Sequence, residues 1–208
     1  MHGSTDRTPD DTTDHTPEQI PEHTPDHVPD DVPDDLGPAG YRRIGERRYR
    51  EVVGRYYEEF TVGDVIEHRP GRTVTELDNV LMSMLSMNDA PLHIDAAYSE
   101  HTPWGRPIVS SLVTLSIVGG MTARSTSGRT IANLGWENIR MTHPVFAGDT
   151  LYAHTETLAK RLSKSREGQG IVSCRTTGTK STGEVVVVFE RSFLVPLRGH
   201  GLDEATGY

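Results

Sequence analysis

The chain has a single cysteine, Cys174, among its 208 residues. One thiol cannot close an intramolecular disulfide, so the core alone must hold the fold, and the chain suits a reducing compartment. No apolar run approaches the roughly 20 residues that a membrane helix needs, and no membrane span is expected. Basic excess is also missing. Lys and Arg number 21 against 30 Asp and Glu. Residues 1–38 hold nine Asp, two Glu and one Arg, which leaves residues 39–208 near +1, with 20 basic and 19 acidic side chains. Non-specific nucleic-acid binding would call for a strongly basic domain, so nucleic acid is not an expected partner. Paired metal ligands are lacking as well. His2, His15, His23 and His27 fall in the acidic segment, while His68, His101, His143, His154 and His200 have no partner at ligand spacing, so no metal site is expected. The acidic, proline-rich start is unlike a signal peptide. A soluble, cytoplasmic protein is expected.

What the first segment does have is regularity: Pro17, Pro21, Pro25, Pro29 and Pro33 recur every four residues. Between them lie Asp, Glu, His and Thr, with only Ile20, Val28, Val32 and Leu36 to bury. Such a composition cannot offset chain entropy, and residues 1–40 are expected to be disordered. Residues 41–60 form an amphipathic, Arg-rich lead-in with Tyr49, Val52, Val53, Tyr56 and Tyr57 as a possible apolar stripe.

The stretch from Asp78 to Asp95 is the densest in chemistry. Leu77, Val80, Leu81, Met84, Leu85 and Met87 recur at steps of three and four, which predicts a buried helix. Thr75 and Asp78 form a capping-box-like start, and Pro91 is expected to stop the helix. Asn88, Asp89, His93 and Asp95 crowd around that stop. They read either as a chemical site or as an ordinary capped helix end with a surface histidine.

Beyond a short helix at residues 96–101 and a loop at 102–105, Ile108–Arg124 is apolar on nearly every side, which places it at the centre of the fold. Strands are expected over 130–140, 150–161, 171–180 and 185–197. The last two are joined by the Gly-containing turn Ser181–Glu184, which predicts an antiparallel hairpin. The pattern implies one α+β domain over residues 41–198, with a curved antiparallel sheet wrapped around a long central apolar helix. Residues 199–208 read as a frayed C-terminal tail.

Four separate motifs then resemble one family. They are Gly71–Asp78 at the entry to the first helix; Pro91-Leu92-His93-Ile94-Asp95; Trp104–Val109 before the central helix; and Pro144–Leu151, a Pro-Val-Phe-x-Gly-Asp-Thr-Leu turn. In this order, over roughly Tyr56–Leu197, they resemble the MaoC-like dehydratases, (R)-specific enoyl-CoA hydratases of the hotdog fold. The resemblance implies addition or removal of water at the α,β-double bond of an acyl thioester. CoA or a carrier protein would present the thioester, no other cofactor would be needed, and the assembly would be a homodimer or a higher homo-oligomer. The family segment Gly-Asp-x-Asn-Pro-Leu-His reads Met87-Asn88-Asp89-Ala90-Pro91-Leu92-His93 here, so the histidine is kept and the aspartate position holds Asn88. Asn there, with Ala132–Trp136, the Lys160–Arg166 run and Gly170–Val172, resembles the branch of mesaconyl- and itaconyl-CoA hydratases. Ser110-Ser111 stands where many members have His-Gly.

Hydration needs a base, a proton for the α-carbon and a donor for the enolate oxygen. His93 is the candidate base, since histidine titrates near neutral pH. Asn88 would hold the water without taking its proton, and Asp89 or Asp95 could substitute for the missing carboxylate. Backbone N–H groups at Ser110 and Ser111, at a helix start, would stabilise the enolate. Arg106, Arg140, Lys164 and Arg166 are candidate contacts for CoA phosphates. Two alternatives stay open: a non-catalytic acyl-thioester binder, motivated by Asn88, and a thioesterase, disfavoured because Ile108–Arg124 has no carboxylate.

Overall fold

The computed structural model describes residues 40–207. The proline-rich segment, expected to be disordered over residues 1–40, lies outside them except for Gly40. The Arg-rich lead-in is a hairpin, β1 (Tyr41–Gly45) and β2 (Arg48–Glu51). Its cross-strand neighbours Arg43 and Tyr49 face each other, with the guanidinium 5.9 Å from the ring centroid.

The main body is a five-stranded antiparallel sheet of order β3-β5-β6-β7-β4. Its strands are β3 (Val65–Thr73), β4 (Ala132–Met141), β5 (Thr150–Leu162), β6 (Gln169–Lys180) and β7 (Val185–Pro196). In β5 and β6 alternate residues are buried, as expected of strands with one face on a core, whereas β7 is buried in consecutive runs, Val186-Val187 and Phe193–Pro196. On that face Val187 and Phe189 of β7 join Leu151 and Ala153 of β5 against Val113 and Val118 of α4 (Ser111–Met121). The expected central helix is therefore present but shorter than Ile108–Arg124. It begins after Ser110, whose Oγ accepts the Leu112 N–H at 3.3 Å, because a serine cap satisfies an N–H that the helix cannot. It ends at Met121, and a π-type turn follows over Ala123–Ser127.

Helix α1 (Glu76–Ser86) starts as predicted: Thr75 accepts the Asp78 N–H, and Asp78 accepts the Thr75 N–H at 2.8 Å. Burial of Asp78 alone would raise its pKa. Hydrogen bonds from Arg72 and Thr75, and the Arg72 charge, outweigh that and hold it below the ordinary carboxylate value. The end of α1 differs from expectation. It stops at Ser86 with Met87 left-handed at φ 56°, well before Pro91. Pro91 instead opens α2 (Pro91–Ile94), where its missing N–H costs nothing. Helix α3 (Ala96–Glu100) follows.

The burial of α1 also departs from expectation. Leu77, Met84 and Leu85 are at least 70% exposed in the single chain, whereas Asn79 and Ser83 are buried. The polar face of this helix is the one turned inward.

Past Leu197 the chain, read as a tail, carries α5 (Asp203–Thr206). Asp203 pairs with Arg129 and accepts the Tyr56 hydroxyl at 2.7 Å, which ties the segment to the body. Among the described residues no helix is long and apolar enough to cross a membrane.

Candidate active site

Two chain segments meet beneath α1: α2, which carries His93, and the extended run Ile108–Ser110 that leads into α4. The Ile108 N–H donates to the Leu92 carbonyl at 3.2 Å, and His93 Nδ1 lies 3.0 Å from the Ile108 carbonyl oxygen. A carbonyl can only accept, so Nδ1 carries the proton and the neutral ring keeps its lone pair on Nε2. The residue is half-buried.

Asn88 is half-buried at the turn out of α1. The left-handed Met87 turns the chain there, and the Asn88 N–H donates to Ser83 O at 3.0 Å. Its Oδ1 accepts the Ala90 N–H at 3.5 Å, a long bond that engages one lone pair and leaves the other. Asp95 caps α3 by accepting the Tyr98 N–H at 2.9 Å, so its carboxylate is committed to a helix start. Asp89 is exposed.

The expected oxyanion donors separate into two cases. The Ser110 N–H is already taken, donating to Asn79 Oδ1 at 2.8 Å, and Ser110 is 3% exposed. Ser111 is exposed at the first helical position, where an N–H has no intrahelical acceptor. The free donor is therefore the Ser111 N–H.

Asn79 is a buried polar residue at this site that the sequence reading missed. It sits in the middle of what reads as an apolar stripe, yet it is 5% exposed and fully engaged. Its Nδ2 donates to the His93 carbonyl at 2.7 Å and to the Ile108 carbonyl at 3.1 Å. The available signal was Asn79 and Ser83, two polar residues one turn apart, since asparagine is a poor choice for a helix interior unless its side chain is used. Ser83 Oγ is buried and has no protein partner among the described residues.

The candidate phosphate contacts do not converge within one chain. Arg106 stacks on Phe146, 4.0 Å from the ring centroid, beside Trp104, and Arg140 pairs with Val188 near the start of β7. Both lie at the end of the sheet where β5 begins, as does the site, through the Val109 N–H to Val145 O bond of 2.8 Å. Lys164 and Arg166 lie in the turn after β5, a strand length of about 40 Å away along the chain. A groove of about 400 Å³ runs between α1 and α4, lined by Leu81, Leu85, Val113, Ile117 and Met121, with Arg72 and Asp78 at one end. It opens on a different face of α1 from Asn79. Among the described residues no cluster of His, Cys, Asp or Glu side chains is arranged to hold a metal ion. Burial raises the Cys174 thiol to about 11, so it is no nucleophile.

With that geometry in place, comparison with known proteins identifies the class. Residues 58–179 match the family model of the MaoC like domain, and the chain belongs to that family. It is 30% identical over 146 residues to a mesaconyl-CoA hydratase of Cereibacter sphaeroides, covering 70% of this chain and 42% of that one. It is 25% identical over 149 residues to an (R)-specific enoyl-CoA hydratase of Rhodospirillum rubrum, covering 72% and 97%. Among solved structures, a Mycobacterium tuberculosis protein with a double hotdog fold superposes with a TM-score of 0.63 at 24% identity, over 69% of this chain and 44% of that one. The fold is the hotdog fold. The chain spans about two-fifths of the length of the mesaconyl-CoA relative.

Proposed function

We propose that the chain is a hydro-lyase that adds water to, or removes it from, the α,β-double bond of an acyl thioester. The observation that carries this reading is the His93 ring, with Nδ1 bound to the Ile108 carbonyl and Nε2 left as a base, near the helix start that offers the Ser111 N–H. Membership of the MaoC-like family and the hydratase names of its relatives support it.

In the hydration direction, Asn88 Oδ1 accepts one hydrogen of a water molecule and His93 Nε2 takes its other proton as the oxygen bonds to the β-carbon. Electron density moves to the thioester oxygen, where the Ser111 N–H meets it. The imidazolium then returns the proton to the α-carbon, leaving the 3-hydroxyacyl thioester and a neutral His93. Asn88 takes no proton, so one histidine carries both transfers.

The favoured substrates are enoyl-CoA thioesters with branched or dicarboxylic acyl chains, mesaconyl-CoA first, with Arg106 and Arg140 meeting the CoA phosphates. CoA rather than a carrier protein follows the relatives' names, and the cytoplasm suits an unpaired thiol. The working unit is a homodimer. The edge strand β4 exposes Leu134, Trp136, Ile139 and Met141, and exposed apolar edges invite pairing.

The test is incubation with mesaconyl-CoA and crotonyl-CoA in D₂O, followed by mass spectrometry. Water and one carbon-bound deuterium should be gained together. Binding without any mass change would instead favour the non-catalytic binder, and release of free CoA would favour a thioesterase.

A further inference from the structure

We infer that Asn79 is a positioning residue whose side-chain amide sets the base and the oxyanion donor of this site as a single unit. The inference rests on the hydro-lyase reading for its kinetic consequences, but not for its geometry.

One amide spans three backbone groups from two segments. Nδ2 donates to the carbonyls of His93 and Ile108, and Oδ1 accepts the Ser110 N–H. The Ile108 carbonyl is also the acceptor that fixes the His93 tautomer. Asn79 thus holds the group that holds the base. By occupying the Ser110 N–H it also leaves Ser111 as the next donor in line, one residue further into the helix. Asn79 is on α1 and contacts neither end of the reaction, so it acts through its neighbours. Its burial matters because water cannot replace the amide there, and three backbone groups would be left unpaired together. A carboxylate would not serve, since it has no N–H for the two carbonyls.

The test uses full-length protein with Asn79→Ala and the isosteric Asn79→Asp. Kinetics with the enoyl-CoA substrate should show kcat reduced by about 10- to 100-fold while KM changes less than about threefold, the pattern of a misplaced reacting group. Long-range ¹H–¹⁵N spectra, with the His93 signals identified from His93→Gln, should show the Nδ1-protonated tautomer in the wild type and a mixture of tautomers in the variants. A merely structural asparagine would lower the melting temperature and leave both readings unchanged. A folded variant with wild-type kcat, or with the wild-type His93 tautomer, overturns the inference. If neither variant folds, amide exchange on the wild type decides it. Ser110 should be protected and Ser111 should exchange freely, and equal exchange at the two amides sinks the idea. Should the wild type add no water to any enoyl thioester, the hydro-lyase reading falls, while the tautomer and exchange measurements still decide the clamp.

Discussion

Val118 on α4 and Gly178 on β6 approach as closely as they do because Gly178 has no side chain: a Cβ there would stand 2.7 Å from a Val118 methyl and 2.8 Å from a Val187 methyl. Both valines are fully buried, and a β-branched side chain has little rotamer freedom with which to yield. Gly178 thereby lets the central helix lie directly on the sheet.

Gly178→Ala should lift α4 from the sheet and destabilise the protein by about 1–3 kcal/mol, several degrees in Tm for a chain of this size. Thermal unfolding followed by circular dichroism checks it. An unchanged Tm would mean that the helix–sheet spacing is slack.

His68 gives a prediction about acid. Its Nε2 lies 2.7 Å from Thr155 Oγ1 and its Nδ1 2.8 Å from Ser125 Oγ, a chain that continues to Thr176 at 2.9 Å. Burial first, then the neighbouring His154, Arg55 and Arg69, lower its pKa from 6.5 to about 4. The folded state therefore binds fewer protons than the unfolded state between those values, and stability falls as pH drops from 6.5 towards 4. The slope should approach about 1.4 kcal/mol per pH unit from this group. Urea midpoints measured across that range should fall in the wild type and fall less steeply in His68→Gln. Equal slopes would contradict the assignment.

How much of this could be read beforehand varies by element. Strands β5 to β7 were legible because the alternation of β5 and the turn Ser181–Glu184 between β6 and β7 are local signals, and α4 because it is apolar all round. The family frame around His93 was legible too. The facing of α1 was not, since Leu77, Met84 and Leu85 mark a sticky face without saying what covers it. Nor was the role of Asn79, whose three partners come from residues 14 to 31 positions away. The lead-in hairpin was obscured because its arginines and tyrosines suit a helix stripe as well as a strand pair.

The exposed apolar row on β4 predicts that assembly can be broken from the edge. Ile139→Lys should shift the protein from dimer to monomer in sedimentation experiments, because a charge on an edge strand opposes pairing. A wild type that is monomeric at micromolar concentration, or a variant that remains dimeric, would assign that row another purpose.

The central claim is that one histidine moves both protons. Its most direct test is the rate of water addition to mesaconyl-CoA or crotonyl-CoA by wild type and His93→Gln, with thioester binding measured alongside. The account predicts a loss in kcat of about 10²- to 10⁴-fold with binding retained. A His93→Gln protein that hydrates at the wild-type rate would contradict it.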